Sequence, residues 1–248
     1  MAEPADLDIR WTRSRAASRF REALVCGVLG PLMDLYTRRR IVGRTALDEI
    51  EPPVVFVANH NSHADTPVIL RALPSRWRRR TAVAAATDYF YDRRHKALAS
   101  ALVFGTVPLA RDASGETGPG QTAHLHRLLA GGGSLLMFAE GTRSHDGRLG
   151  RLRSGAAALA AQHRVPIVPI FVSGTRAAMP RGHRWMVFKA GRPGPRHPLE
   201  IRFGEPIASD GGEHPREVMA RVWRFLSESG ATPRHAPRSD DLLEHQHG

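Results

Sequence analysis

The stretch Asn59-His60-Asn61-Ser62-His63-Ala64-Asp65 sets a histidine and an aspartate five positions apart, directly after the apolar run Val54 to Ala58. If that run is a buried strand, both residues lie at its exit, where open α/β sheets keep their chemistry. Asp65 would then hold one imidazole nitrogen of His60 and fix its tautomer. The other nitrogen would accept a proton from a substrate hydroxyl. Spacing alone does not establish the pair: 13 histidines and 12 aspartates in 248 residues supply about 0.6 such pairs by chance, and a second, His235 and Asp240, sits in a Pro- and Arg-rich tail. On a regular helix, residues five apart point about 140° from each other, so a dyad needs a non-helical turn. Pro67 suits a helix's first turn and pushes Thr66 out of the helical region, which places the helix start near Ser62 to Thr66. A capping reading competes, in which Ser62 and Asp65 cap that helix and His60 is an ordinary loop residue.

Short apolar runs at Ile41 to Gly43, Val54 to Ala58, Thr81 to Ala86, Thr106 to Leu109, Leu135 to Phe138, Ile167 to Phe171 and Leu199 to Phe203 read as strands. Helical patterns fill Pro67 to Leu73, His95 to Val103, Gln121 to Ala130, Gly155 to His163 and Pro215 to Ser227. This alternation predicts an α/β fold, a mostly parallel central sheet covered by helices. Gly131-Gly132-Gly133 stops one helix, and Arg111 to Gly120, rich in Gly, Ser and acids, reads as a loop. Upstream, Phe20, Leu24, Val28 and Leu32 recur every four residues among arginines, with Arg38, Arg39 and Arg40 closing the segment. That predicts an amphipathic helical segment over 10–40, bent or broken at Gly30-Pro31. The expected organisation is a disordered 1–9, this segment, a catalytic domain over 41–228 and a disordered tail over 229–248.

The net charge of +12 is carried almost wholly by arginine, since Lys96 and Lys189 are the only lysines. It favours an anionic partner, whether nucleic acid, an anionic membrane or a phosphorylated small molecule, although genomic base composition explains an arginine excess equally well. Arg76, Arg78, Arg79 and Arg80, with Arg93 and Arg94, form a basic cluster that would meet lipid phosphates, meet a nucleotide's phosphates, or simply face solvent. The single Cys26 excludes an intramolecular disulfide framework and fits a reducing compartment. No run is long and apolar enough to span a bilayer, and the N-terminus makes a poor secretion signal. The chain also lacks a G-x-S-x-G elbow, a Walker A loop and H-E-x-x-H spacing, which disfavours a serine acyl-enzyme, P-loop chemistry and a zincin-type metal site. No metal or cofactor is expected. With 6% aromatic residues and no recognition-helix or RNP-like motif, nucleic-acid binding rests on charge alone and is disfavoured.

Four ordered blocks resemble the glycerolipid acyltransferase family typified by 1-acylglycerol-3-phosphate O-acyltransferase. They are Asn59-His60-x-Ser62-x-x-Asp65; Gly105, an apolar stretch and Arg111; Phe138-Ala139-Glu140-Gly141-Thr142-Arg143-Ser144, with alanine where proline is usual; and Val165-Pro166-Ile167-Val168-Pro169-Ile170. The resemblance implies a glycerol-3-phosphate acyltransferase-like fold, His60 as general base and Asp65 as its orienting partner. Arg111, Glu140, Gly141, Thr142 and Arg143 match positions that hold the acceptor's phosphate and glycerol, although a surface pair of arginines or a Glu140 ion pair would read the same. Asn59, Ser62, Gly105, Pro166 and Pro169 match structural positions, and the two prolines shape the start of a strand. Arg153 keeps a positive charge where relatives usually carry lysine.

The implied reaction moves a fatty acyl group from acyl-CoA or acyl carrier protein to the hydroxyl of a lysophospholipid, here 1-acylglycerol-3-phosphate, giving phosphatidate. Other lysolipids, including ornithine-bearing ones, are alternatives, as is a non-catalytic lipid-binding protein of the same fold. The implied location is peripheral, on the cytoplasmic face of an anionic membrane, with the N-terminal segment as the docking element. Its apolar stripe would otherwise pack on the protein's own sheet.

Overall fold

In the computed structural model, the described residues are 9–86, 94–109, 122–209 and 211–234. The expected loop Arg111 to Gly120, together with Arg93, Gln121, residues 1–8 and the tail from 235, lies outside them.

Seven strands form one sheet: β1 (Thr37–Val42), β2 (Val55–Ala58), β3 (Thr81–Ala86), β4 (Thr106–Leu109), β5 (Ser134–Phe138), β6 (Ile167–Ser173) and β7 (His197–Phe203). Their order is β1-β7-β6-β2-β5-β3-β4. The run from β6 to β4 is parallel; β7 pairs antiparallel with β6 and parallel with β1, so the last two strands run the other way. Central β2 is buried along its whole length and alternates between two cores. Phe56 and Ala58 join one core with Val68, Ile69 and Trp77, while Val55 and Val57 join the other with Leu125, Leu129, Ala157 and Val222. Burial on both faces is why its sequence is continuously apolar rather than alternating.

Nine α-helices are described: α1 (Arg15–Ala23), α2 (Gly30–Asp34), α3 (Asp65–Ala72), α4 (Ser75–Arg78), α5 (Arg94–Phe104), α6 (Ala123–Ala130), α7 (Gly155–His163), α8 (Thr175–Ala178) and α9 (Pro215–Glu228). α3 follows β2 on one face of the sheet, whereas α7 follows β5 on the other. The chain therefore leaves β2 and β5, which are neighbours, in opposite directions. The gap between their carboxyl ends is the switch point where α/β sheets bind ligands.

The N-terminal segment corrects two expectations. First, Gly30-Pro31 does not break it: the chain stays helical, widening to a π-turn over Leu24–Leu29 that accommodates the hydrogen bond lost at Pro31. A Cβ on Gly30 would collide with the Arg71 guanidinium, which donates to the Gly30 carbonyl and both Asp34 oxygens. Second, the helix ends before the arginine triplet, which lies in β1 at the sheet edge. Thr37 is buried, Arg38 and Arg40 face solvent, and the register sets Arg39 beside Leu199 and Ile41 beside Ile201. An edge strand with one open face tolerates charges that would exclude a central one.

Arg21 is no lipid-facing residue either. It is 3% exposed and donates to the carbonyls of Thr12, Ala101 and Leu102, at the carboxyl end of α5. Burial, with Arg13 nearby, pulls its pKa down to about 10. Gly105, with φ +68°, lies where a Cβ would come 2.9 Å from this guanidinium, so the glycine serves the docking of α1. By contrast, Phe20, Val28 and Leu32 of the expected stripe are 57%, 50% and 43% exposed, flanked by exposed Trp11 and Leu35. Val25 and Met33, one position on, do the packing. No described helix is long and apolar enough to cross a membrane.

The Arg76 to Arg80 cluster is structural in large part. Arg78 caps the end of α3 through the Leu70 and Leu73 carbonyls and pairs with Glu22 at 2.7 Å. Arg79 meets the same carboxylate, and Arg76 bonds the Leu47 carbonyl, Asp48 and Glu51. The Glu22 carboxyl is held below its usual range by Ser75 and these arginines, against the opposing effect of burial, which is the largest single influence. Arg76, Arg78 and Arg79 thus bond protein acceptors, while Arg80 is exposed.

Candidate active site

The turn after β2 is non-helical from Asn59 to Ser62, and α3 begins at Asp65. Asp65, fully buried, gathers three donors on Oδ2: the backbone N–H groups of Asn61 (2.7 Å) and Ser62 (2.8 Å), and His60 Nδ1 at 2.8 Å. The competing capping role is not realised: α3 has no side-chain cap bond at its N-terminus, and the carboxylate instead holds the amides of the turn before it together with the imidazole. Nδ1–H donates to the carboxylate, which leaves the lone pair on Nε2. The imidazole lies flat on the Phe138 ring, centroids 3.8 Å apart and planes 16° from parallel, with 15% of the side chain exposed. Phe138 belongs to the third motif, but its residue type alone does not disclose this stacking role.

Around this pair the matched residues divide. Asn59 bonds the N–H and C=O of Val172 through its side chain (2.8 and 2.9 Å), prolonging the β2–β6 pairing by one residue. The Ser62 hydroxyl donates to the Met179 carbonyl at 2.8 Å, tying the turn to the loop after α8. The Glu140 carboxylate is held by backbone amides: Oε1 accepts from His60 N–H (3.2 Å) and Oε2 from Gly150 N–H (2.9 Å). Burial pushes its carboxyl up, against these amides and His60, which hold it down. Gly141 turns the chain at φ +73°, and its N–H bonds the Phe138 carbonyl. Arg143 is half-buried, Thr142 is exposed, and Ser144 N–H bonds the His60 carbonyl at 2.7 Å. The Pro166 carbonyl accepts from Val55 N–H at the foot of β6, and Pro169 packs within that strand beside Gly204. Gly105 belongs to the Arg21 contact, and Arg111 lies outside the described residues.

Two features carried no signal in the residue pattern. His63 is half-buried beside the dyad, and burial, Arg143 and His60 depress its pKa to about 4, with a smaller effect from Arg181. It is a neutral imidazole at pH 7. The segment Ser229 to Arg234 is not a trailing tail. Leu149 N–H bonds the Thr232 carbonyl (2.8 Å), Arg234 N–H bonds the Leu149 carbonyl (2.9 Å), and Arg234 pairs with Asp146. A cavity of about 450 Å³ opens between this segment, Asn61, Glu140 and Arg176. Among the described residues, no group of three or more His, Cys, Asp or Glu is placed to hold a metal ion.

Fold and site together define an α/β protein with a carboxylate-braced histidine at the sheet's switch point. The acyltransferase family profile matches residues 38–173, and the chain belongs to that family. It is 34% identical over 146 residues to the chloroplastic 1-acyl-sn-glycerol-3-phosphate acyltransferase BAT2 of Brassica napus, covering 57% of this chain and 39% of that protein. It is 28% identical over 187 residues to the alpha form from Bos taurus, covering 72% and 60%. The chain thus spans about two fifths of the length of the plant relative. The crystal structure of the 1-acyl-sn-glycerophosphate acyltransferase PlsC from Thermotoga maritima superposes with a TM-score of 0.61 at 19% identity, over 90% of this chain and 81% of that one, which shows the shared fold.

Proposed function

We propose that the protein is an O-acyltransferase that moves a fatty acyl group from acyl-CoA or acyl carrier protein to the free hydroxyl of 1-acylglycerol-3-phosphate, giving phosphatidate. The observation that carries this reading is the His60–Asp65 pair, with Nδ1–H fixed on a buried carboxylate and Nε2 left as the base.

Nε2 takes the proton of the acceptor hydroxyl as its oxygen attacks the thioester carbonyl carbon. The imidazolium is held by Asp65 while the tetrahedral adduct forms. Collapse re-forms the C=O bond and breaks the C–S bond, and the thiolate leaves with the proton from His60 or from solvent. No acyl-enzyme and no cofactor enter this scheme. Arg143, and Arg111 by resemblance, hold the acceptor's phosphate, for which a guanidinium fork is matched. The names of the plant and bovine relatives support the choice of acceptor.

The acceptor and product are bilayer lipids, and the exposed Trp11, Phe20, Val28, Leu32 and Leu35, with exposed Arg15, Arg19 and Arg38, suit an interfacial helix on an anionic membrane. Peripheral binding on the cytoplasmic face follows from that reading. Incubating purified protein with radiolabelled acyl-CoA and a panel of lysolipids tests it. Labelled phosphatidate formed from 1-acylglycerol-3-phosphate in preference to the ornithine-bearing lysolipid is expected, and thiol release with no labelled lipid would overturn it.

A further inference from the structure

Two guanidinium groups from the region after β6 converge on one residue of the turn after β5. Arg176 donates from Nη2 to the His145 carbonyl at 2.7 Å and from Nη1 to the Ser144 carbonyl at 3.3 Å. Arg181 donates from Nη1 to His145 Nδ1 at 2.8 Å. An arginine cannot accept, so Nδ1 carries the lone pair and the neutral ring keeps its proton on Nε2, available to another acceptor. Arg181 and His145 are both exposed. Among the described residues their partners are carbonyls and an imidazole rather than a carboxylate, and the adjacent acid, Asp146, is already held by Arg234 at 2.9 Å, the Ser144 hydroxyl and Arg148 N–H.

This cationic patch is stitched to the His60 turn from both sides. Ser144, next to His145, bonds the His60 carbonyl, and Ser62 bonds the carbonyl of Met179, two residues before Arg181. An unneutralised guanidinium whose direction is fixed by a second side chain is preorganised for an anion, with most of its fork still open.

We propose that Arg181 and His145 form a seat for a phosphate monoester beside the catalytic turn, with Arg181 supplying the charged fork and His145 Nε2–H a neutral donor. The proposal rests on the reading of the His60 site as an acyltransferase site. Two ligands bring this chemistry there: the acceptor's glycerol phosphate and the nucleotide phosphates of the donor.

The test is Arg181→Gln in the full chain, with Arg216→Gln, an exposed arginine in the first turn of α9, as a control for net charge. Binding of sn-glycerol 3-phosphate and of adenosine 3′,5′-bisphosphate is measured by titration calorimetry, and kcat and KM for acceptor and donor by thiol release. Arg181→Gln should weaken one probe about tenfold and raise KM for the matching substrate by a similar factor, with kcat within about twofold and the control unchanged. Loss of the glycerol phosphate assigns the seat to the acceptor; loss of the bisphosphate assigns it to the donor. Unchanged binding of both probes, or equal weakening by the control, overturns the proposal, as does failure of the wild type to bind either. A wild type without acyl transfer whose probe binding still depends on Arg181 would retain the seat and remove the catalytic reading.

Discussion

His63→Phe isolates the cost of keeping an unprotonated imidazole beside the His60–Asp65 pair. In the native protein burial and Arg143 bring the His63 pKa down to about 4, whereas the unfolded chain titrates at the ordinary value of 6.5. The native state therefore binds fewer protons than the unfolded state between these values. Stability from this group is complete above pH 6.5 and is lost as the pH falls toward 4. The interval corresponds to about 3 kcal/mol in full, and about 2 kcal/mol is reached between pH 7.5 and pH 5. Solvent screening of a half-buried ring reduces that to about 1–2 kcal/mol. Urea unfolding followed by tryptophan fluorescence, with Trp77 fully buried as the reporter, gives the free energy at both pH values for wild type and variant. Any cost of the substitution itself appears at both pH values and cancels in the double difference, as do the shifts of His163 and Glu140. The variant should lose about 1–2 kcal/mol less than wild type on acidification. Equal losses would refute the assignment of His63 as a neutral, partly desolvated ring.

Asp65→Asn preserves an acceptor for the Asn61 and Ser62 amides but removes the charge that holds the imidazolium. A hydrogen bond to a charged group contributes about 1.5–3 kcal/mol, so kcat, read by thiol release, should fall about 10- to 100-fold in a variant that calorimetry shows still folded, with a lowered melting temperature because the new amide N–H groups are buried; kcat within about twofold of wild type would contradict it. Phe20→Glu with Leu32→Glu should cut sedimentation with anionic vesicles at least about tenfold and leave the melting temperature within a degree or two, because both side chains are exposed. Deleting 1–40 is the wrong form of that test, since it would remove the buried Arg21, Val25 and Met33 and most of β1.

The central sheet was legible because its strands are buried on both faces and read as apolar runs: Thr106–Leu109 and Thr81–Ala86 fall where periodicity put them, as does α7. Of edge strand β1 only the end, Ile41 and Val42, was legible, because three arginines on a half-open strand resemble a helix terminus. The dyad was legible through its setting rather than its spacing, as the strand exit and Pro67 supplied the turn that a helix would have denied. The functions of the arginines were hidden for a different reason. Charge in sequence does not say whether a guanidinium caps α3, as Arg78 does, is buried on carbonyls, as Arg21 is, or meets an imidazole, as Arg181 does. Likewise, nothing in the composition of 229–234 announces that Thr232 and Arg234 pair with Leu149.

His60→Ala, assayed for labelled phosphatidate from acyl-CoA and 1-acylglycerol-3-phosphate, addresses the general base most directly. The account predicts a fall in turnover of about 10²- to 10⁴-fold in a protein that still unfolds cooperatively, since Asp65 keeps its two backbone donors. Turnover near the wild-type rate in that folded variant would contradict it.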